Sequence, residues 1–225
     1  MTILCIETST SVCSAAICKD GELIKQCICL EGGNHARLLP HYIDQLLSLA
    51  REQHLVMDAI ALSEGPGSYT GLRIGTSTAK GLCYGLNIPL IPVPTLEVLC
   101  EAAKESLASD SKVVLLPMID ARRMEVYTTA QGGKARAVVV ESEDSLYNGE
   151  GEVYYFGDGA EKCSELFTKP NWHYLQGIVP EAKYLAKCVE ASLKQGTIPA
   201  VDIAYYEPYY LKEFVAAQSH IKGLK

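Results

Sequence analysis

Residues 63–75 read Ser63-Glu64-Gly65-Pro66-Gly67-Ser68-Tyr69-Thr70-Gly71-Leu72-Arg73-Ile74-Gly75, four glycines within a few turns of chain, set between the short apolar run Asp58–Ser63 and a helical pattern over Thr70–Leu86. Gly65 and Gly67 let the backbone turn tightly between strand and helix, Pro66 stiffens the turn, and Ser68 or Thr70 is placed to cap the helix. Within that helix Gly71, Gly75, Gly81 and Gly85 form two G-x-x-x-G pairs. Each interior glycine costs about 1 kcal/mol relative to alanine, so a close approach of backbone must offset it. Arg73 and Lys80 interrupt the apolar surface, which rules out a membrane dimer motif. Two packings stay open: against a partner's helix, or within the chain's own lobe.

The same loop invites comparison with nucleotide-binding turns and fails in detail. A dinucleotide fingerprint needs glycine where Thr70 stands and an acid about 20 residues later, where this chain has Pro89-Leu90-Ile91. A phosphate loop of the Walker type needs Gly-Lys-Ser/Thr, whereas Lys80 follows Ala79 and precedes Gly81.

Around this motif the hydrophobic pattern predicts strands at Ile3–Thr8, Val12–Cys18 and Glu22–Leu30, with Lys19-Asp20-Gly21 as a hairpin turn. A helix is predicted over Ala36–Gln53, a strand over Pro89–Val93 and a helix N-capped by Thr95. The helix at 36–53 is apolar on more than one side. It is either sandwiched inside its own fold or presents a face to a partner. The polar Ser109-Asp110-Ser111 marks a lobe boundary, giving lobes 1–109 and 110–225. Strands at Val113–Ile119, Glu125–Ala130, Ala135–Val140 and Val153–Phe156 and a helix at Glu181–Lys194 then follow. The second half opens as the first does, with strands and a tight turn, which suggests a duplicated α/β lobe.

Composition narrows the function classes. The 225 residues carry 20 basic and 27 acidic side chains, a net charge of −7, so the chain alone should be a poor ligand for a phosphate backbone. The longest apolar stretches, Val56–Leu62 and Val113–Ile119, are far below the roughly 20 residues that span a bilayer. The N-terminus lacks a basic region and cleavage site, so a cytoplasmic location is expected. Nine cysteines without regular spacing, including Cys27-x-Cys29, read as reduced thiols that act as small hydrophobes. His35 and His41, six apart with Pro40 between, fall on different helix faces and offer no metal site.

Taken together, Glu7-Thr8-Ser9, His35 to Pro40, Gly65 to Gly75, Ala79-Lys80-Gly81-Leu82, Pro94-Thr95-Leu96-Glu97, Asp120 to Tyr127, Gly157-Asp158-Gly159 and Pro208-Tyr209-Tyr210-Leu211-Lys212 resemble the TsaB (YeaZ) family of tRNA threonylcarbamoyladenosine biosynthesis, formerly called glycoprotease-like. The resemblance runs over nearly the whole chain in order. It implies a two-lobed actin-like ATPase (ASKHA, ribonuclease H-like) α/β fold. It also implies a non-catalytic subunit that dimerises with the catalytic paralogue TsaD and works with the ATPase TsaE. The expected homodimer or partner surface is Leu38, Leu39, Tyr42, Leu46, Gly71, Ile74, Gly75 and Thr78. The expected degenerate nucleotide cleft is Glu7, Asp120, Gly157 and Gly159. No cofactor is expected on this chain, ATP and magnesium being used by the complex, and tRNA is expected to be met only through it.

The chain departs from the family at Glu7, usually Asp, and at Lys212, usually Arg, which loses the bidentate fork. Active relatives hold phosphates with a glycine-rich hairpin after the second lobe's acid. Here Asp120 is followed by Ala121-Arg122-Arg123, and the arginines read either as an anion-attracting pair or as a surface pair joined to Glu125. The alternative is a peptidase-like or small-molecule kinase-like enzyme of the same fold, although no Ser-His-Asp, Cys-His or H-E-x-x-H arrangement is visible.

Overall fold

The structure, a computed structural model, describes residues 1–107, 113–130, 132–196 and 201–212. Strands β1 (Thr2–Glu7), β2 (Cys13–Lys19) and β3 (Glu22–Cys29) form an antiparallel meander. Helix α1 (His35–Glu52), β4 (Ala59–Gly65), α2 (Tyr69–Leu86), β5 (Leu90–Pro94) and α3 (Thr95–Lys104) follow. The first sheet has the order β3-β2-β1-β4-β5, with β4 and β5 parallel to β1.

The second sheet repeats this plan. Strands β6 (Val114–Asp120), β7 (Glu125–Thr128) and β8 (Arg136–Val139) make the meander, and β9 (Val153–Phe156) and β10 (Trp172–Leu175) run parallel to β6. Read from the meander edge, its order is β8-β7-β6-β9-β10, the first lobe's order strand for strand. The duplication suggested by the strand pattern is therefore explicit in the topology. The connections differ: short 3-10 turns at Glu143–Ser145 and Glu161–Leu166 stand where the first lobe has long helices. Strand β10 carries no alternation strong enough to predict it from the sequence.

Burial explains why β1 reads as a continuous apolar run. Both faces of its sheet are covered, with Leu4 and Ile6 packed toward α1 and α2 and Ile3 and Cys5 toward the opposite layer. That opposite layer corrects the expected lobes. Helix α4 (Ala182–Lys194), placed by sequence in the second lobe, packs on the first sheet through Ala182, Leu185, Ala186 and Val189. A helix with so regular an apolar stripe takes the nearest uncovered apolar sheet face, here that of β1 and β4. Helix α3 joins the lobes, Val98 and Ala102 facing the first core while Leu96, Leu99 and Ala103 meet Ile119 and Phe156 of the second. The polar Ser109-Asp110-Ser111 stretch lies outside the described residues.

Past residue 200 the chain returns to the first lobe. Val201 bridges Leu90 at the edge strand, the Tyr209 N–H donates to Glu64 O at 2.8 Å, and Lys80 donates to the carbonyls of Ala204 and Tyr206. Lys212 then pairs with Glu125 of the second lobe.

Candidate functional site

The glycine motif is a clasp on the connection that leaves β1. The Ser68 N–H donates to Ser9 O at 2.6 Å, and the Thr8 hydroxyl donates to Gly71 O at 2.8 Å. A β-carbon at Gly67 would overlap the Ser9 carbonyl oxygen, one at Gly71 the Thr8 carbonyl oxygen, and one at Gly75 the Thr8 hydroxyl, with Leu62 just behind. Three of the motif's glycines thus exist for backbone approach within the lobe. Ser68 also caps α2, its hydroxyl accepting from the Gly71 N–H at 3.3 Å. A helix N-terminus is a ready anion site, but here Ser68 and the Ser9 carbonyl already occupy it. Thr95 proves not to be a cap: it is the first helical residue after Pro94, and its hydroxyl accepts from the Gly65 N–H at 3.1 Å and lies 2.7 Å from Ser63 Oγ.

Of the residues expected at a nucleotide cleft, Glu7 ends β1, Asp120 ends β6, and Gly157 and Gly159 lie against Met118 and Ile119 of β6. Glu7 ends β1 with no exposed surface; its Oε1 accepts from both the N–H and the hydroxyl of Ser9 at 2.6 Å, while Oε2 has no partner. Burial pushes the Glu7 carboxyl above its usual range, against the hydrogen bonds from Ser9, and the charge on Asp158 adds to the rise. Asp120 ends β6 and is already engaged: its carboxylate pairs with Lys162 and accepts from the Arg122 N–H at 3.2 Å. Its own N–H donates to Asp158 Oδ1 at 2.9 Å. Asp158 is exposed, yet the packing about its carboxyl, and then the charge of Asp120, push its pKa up.

Gly157 and Gly159 serve their own lobe. Gly157 has φ +104° and a β-carbon there would overlap the Met118 carbonyl oxygen; one at Gly159 would lie 2.8 Å from the Ile119 carbonyl carbon. They let the chain after β9 pass close to β6, where the Gly159 N–H donates to Met118 O at 3.0 Å. Asp158, named from the sequence only as part of a signature segment, and Lys162, not named at all, organise Asp120 from about 40 residues away, a separation that no local pattern records. Among the described residues no group of three or more His, Cys, Asp or Glu side chains is placed to hold a metal ion. His35 is tied to strand connections, its Nε2 lying 3.0 and 3.1 Å from the carbonyls of Thr10 and Val12.

A glutamine at position 7 keeps the acceptor for Ser9 and removes the unpaired charge. Because the folded pKa is raised, the cost of the charge grows as pH climbs from the ordinary value of 4.5 and is fully present above the folded pKa. Relative to the unsubstituted protein, Glu7→Gln is therefore expected to gain stability as pH rises through the raised pKa, a difference that shrinks toward acid. Denaturant midpoints of both proteins from acid to neutral pH measure it; a constant difference would contradict the assignment.

The turn between β6 and β7 overturns one expectation. Glu125 pairs with Lys212, and neither Arg122 nor Arg123 makes an ion pair among the described residues. Both arginines are exposed and hold left-handed backbone, φ +71° and +52°. That conformation turns the four-residue connection 121–124 but costs a residue with a β-carbon about 1 to 2 kcal/mol. Arg122→Gly is expected to raise stability by about 1 kcal/mol, read from its denaturant midpoint.

The residues expected at a partner surface divide. Leu39 and Leu46 are fully buried in the core under α1, and Gly71 and Gly75 face Thr8. Leu38, Tyr42, Ile74 and Thr78 are half-buried on the outer side, Thr78 with its hydroxyl turned back to Ile74 O at 2.9 Å. The second glycine pair behaves differently from the first. Nothing lies within 4 Å of a β-carbon at Gly81 or Gly85, and Tyr84 beside them is 83% exposed and Leu86 45%. At 100° per residue Ile74, Thr78, Gly81 and Gly85 form one outward stripe, opposite the buried Leu72, Ala79 and Cys83.

Residues 31–149 match the family model described as TsaD: tRNA N6-adenosine threonylcarbamoyltransferase. The chain is 29% identical, over 96% of its own length and 95% of the relative's, to the tRNA threonylcarbamoyladenosine biosynthesis protein TsaB of Haemophilus influenzae. It is 28% identical to that of Escherichia coli, covering 96% of each. YeaZ from Pseudomonas aeruginosa superimposes with a TM-score of 0.74 at 26% identity, over 93% of this chain and 99% of that one. The architecture is the two-lobed actin-like (ASKHA) α/β fold. The chain belongs to the TsaD family of tRNA N6-adenosine threonylcarbamoyltransferases, within its TsaB (YeaZ) group.

Proposed function

We propose that this chain is a cytoplasmic, non-catalytic subunit required for threonylcarbamoyl transfer to an adenosine beside the tRNA anticodon. It forms a homodimer when alone and exchanges that pairing for one with a TsaD-type paralogue, working with a TsaE-type ATPase; ATP and magnesium are used by the complex. Similarity over the full length to proteins named for threonylcarbamoyladenosine biosynthesis supports the pathway. The observation that carries the partner role is the two-sided helix α2. Gly71 and Gly75 are explained inside the lobe, whereas Gly81 and Gly85 are exposed glycines with open space above them. Each costs about 1 kcal/mol of helix stability with no internal contact to offset it, and a second helix packed at roughly 8 Å would. The cleft supports the absence of chemistry in this subunit, since Asp120 is engaged by Lys162 and the cleft glycines by β6.

The test combines purified TsaD-type and TsaE-type proteins with tRNA, threonine, bicarbonate, ATP and the enzyme that makes the threonylcarbamoyl adenylate. Modified adenosine is quantified by mass spectrometry with and without this chain. Omission is expected to abolish modification. Undiminished product would refute the role, and steady ATP or peptide turnover by the isolated chain that is lost in Asp120→Ala would favour the enzyme alternative.

A further inference from the structure

Three of the nine cysteines lie on one face of the β2–β3 ribbon, and neither the clasp nor the partner stripe uses them. Cys13 opens β2 directly opposite Cys29 at the end of β3, and Cys27 stands opposite Ala15. Opposed residues in an antiparallel pair project to the same face with Cα atoms about 4.5 to 5.5 Å apart. A disulfide needs Cα atoms roughly 4.4 to 6.8 Å apart and Cβ atoms near about 3.8 Å, and the pair 13 and 29 meets the Cα range. Cys27 and Cys29, two residues apart on one strand, are separated by about 6.7 Å with parallel Cβ vectors, too far at Cβ to be bridged. Across the ladder Cys27 faces an alanine.

We infer that Cys13 and Cys29 are a redox pair which closes to an intrachain disulfide when the protein meets a hydroperoxide. Cys29 is the accessible member and Cys13 the buried one. Burial first, then the proximity of Cys29 and Glu7, push the Cys13 thiol up to about 11, so Cys13 stays protonated at neutral pH and acts second. In the first step Cys29 Sγ takes an oxygen from the peroxide: the S–O bond forms, the O–O bond breaks, and water or an alcohol leaves. In the second, Cys13 Sγ attacks the sulfenic sulfur, the S–S bond forms, the S–O bond breaks, and the hydroxyl departs as water with the Cys13 proton. Two thiols are oxidised and one hydroperoxide is reduced. The bond would tie the edge strand β3 to β2 on the face that carries α1, within electrostatic reach of Tyr42, whose phenol is pushed up by burial and then by Cys29, Cys13 and Cys27. A thiol pair that cycles in this way is the use of disulfides suited to a reducing compartment.

The experiment treats the reduced full-length protein with hydrogen peroxide, blocks remaining thiols with N-ethylmaleimide, and maps peptides by mass spectrometry without reductant. The expected product has lost two hydrogen atoms, links the peptides of Cys13 and Cys29, and reverts with dithiothreitol. Cys29→Ser and Cys13→Ala should each abolish the link, and Cys27→Ser should leave it intact. Circular dichroism before oxidation identifies a variant that failed to fold, in which case the peptide map of the unsubstituted protein decides. A link from Cys27, an intermolecular link, sulfinic acid on Cys29 with no link, or thiols untouched by peroxide would each overturn the pair.

Discussion

Gly71→Ala is expected to lose about 3 kcal/mol or more of stability and to yield little soluble protein, although it adds one methyl group to a helix. The added carbon would overlap the Thr8 carbonyl oxygen, and neither side can give way. Gly71 belongs to the first turn of α2, fixed by Ser68, and Thr8 is held between β1 and the Ser68 N–H bond to Ser9. Overpacking at a rigid contact of this kind costs about 1 to 3 kcal/mol and more when backbone must move. Gly75 is in the same position against the Thr8 hydroxyl and Leu62, so Gly75→Leu is a folding variant and cannot probe pairing. Urea unfolding of Gly71→Ala, or its soluble yield if unfolding cannot be followed, measures the effect; a midpoint near that of the unsubstituted protein would show that the clasp is looser than described.

The second large effect is expected from Gly81→Leu combined with Gly85→Leu. Both positions open on empty space, so the isolated protein should fold, and leucine for glycine should stabilise helix α2 by up to about 1 kcal/mol at each site. The same side chains would project from the outward stripe beside Ile74 and Tyr84 and hold an approaching helix several ångströms away. The double variant should therefore remain monomeric in light scattering, fail to co-purify with the TsaD-type paralogue, and reduce tRNA modification in the reconstituted system at least tenfold. Full modification by a folded double variant would remove the outward stripe of α2 from the interface. A variant that stays dimeric but does not support modification would separate self-pairing from the functional pairing.

The two expectations rest on glycines that the sequence cannot tell apart. Gly71, Gly75, Gly81 and Gly85 have the same spacing in the same helix, and which pair faces inward depends on where α2 docks against Thr8, a residue over 60 positions away. Arg122 and Arg123 pose the same difficulty. Their nearest acid in sequence is Glu125, yet the returning tail brings Lys212 to that carboxylate and leaves the arginines in a left-handed turn.

The strands of both meanders, helices α1 to α3 and the turn at Asp20-Gly21 were legible because each is a local pattern: apolar residues at a fixed period, ended by glycine, proline or a polar cap. The Glu7-Thr8-Ser9 and Gly65–Gly75 segments were legible as a family signature for the same reason, being contiguous. Tertiary structure alone decided that α4 covers the first sheet, that Thr95 receives the Gly65 N–H instead of capping its helix, and that Asp158 and Lys162 surround Asp120. These pairings join residues tens of positions apart, where the free energy of burying one apolar face against another selects the partner and no periodicity in the intervening chain records the choice.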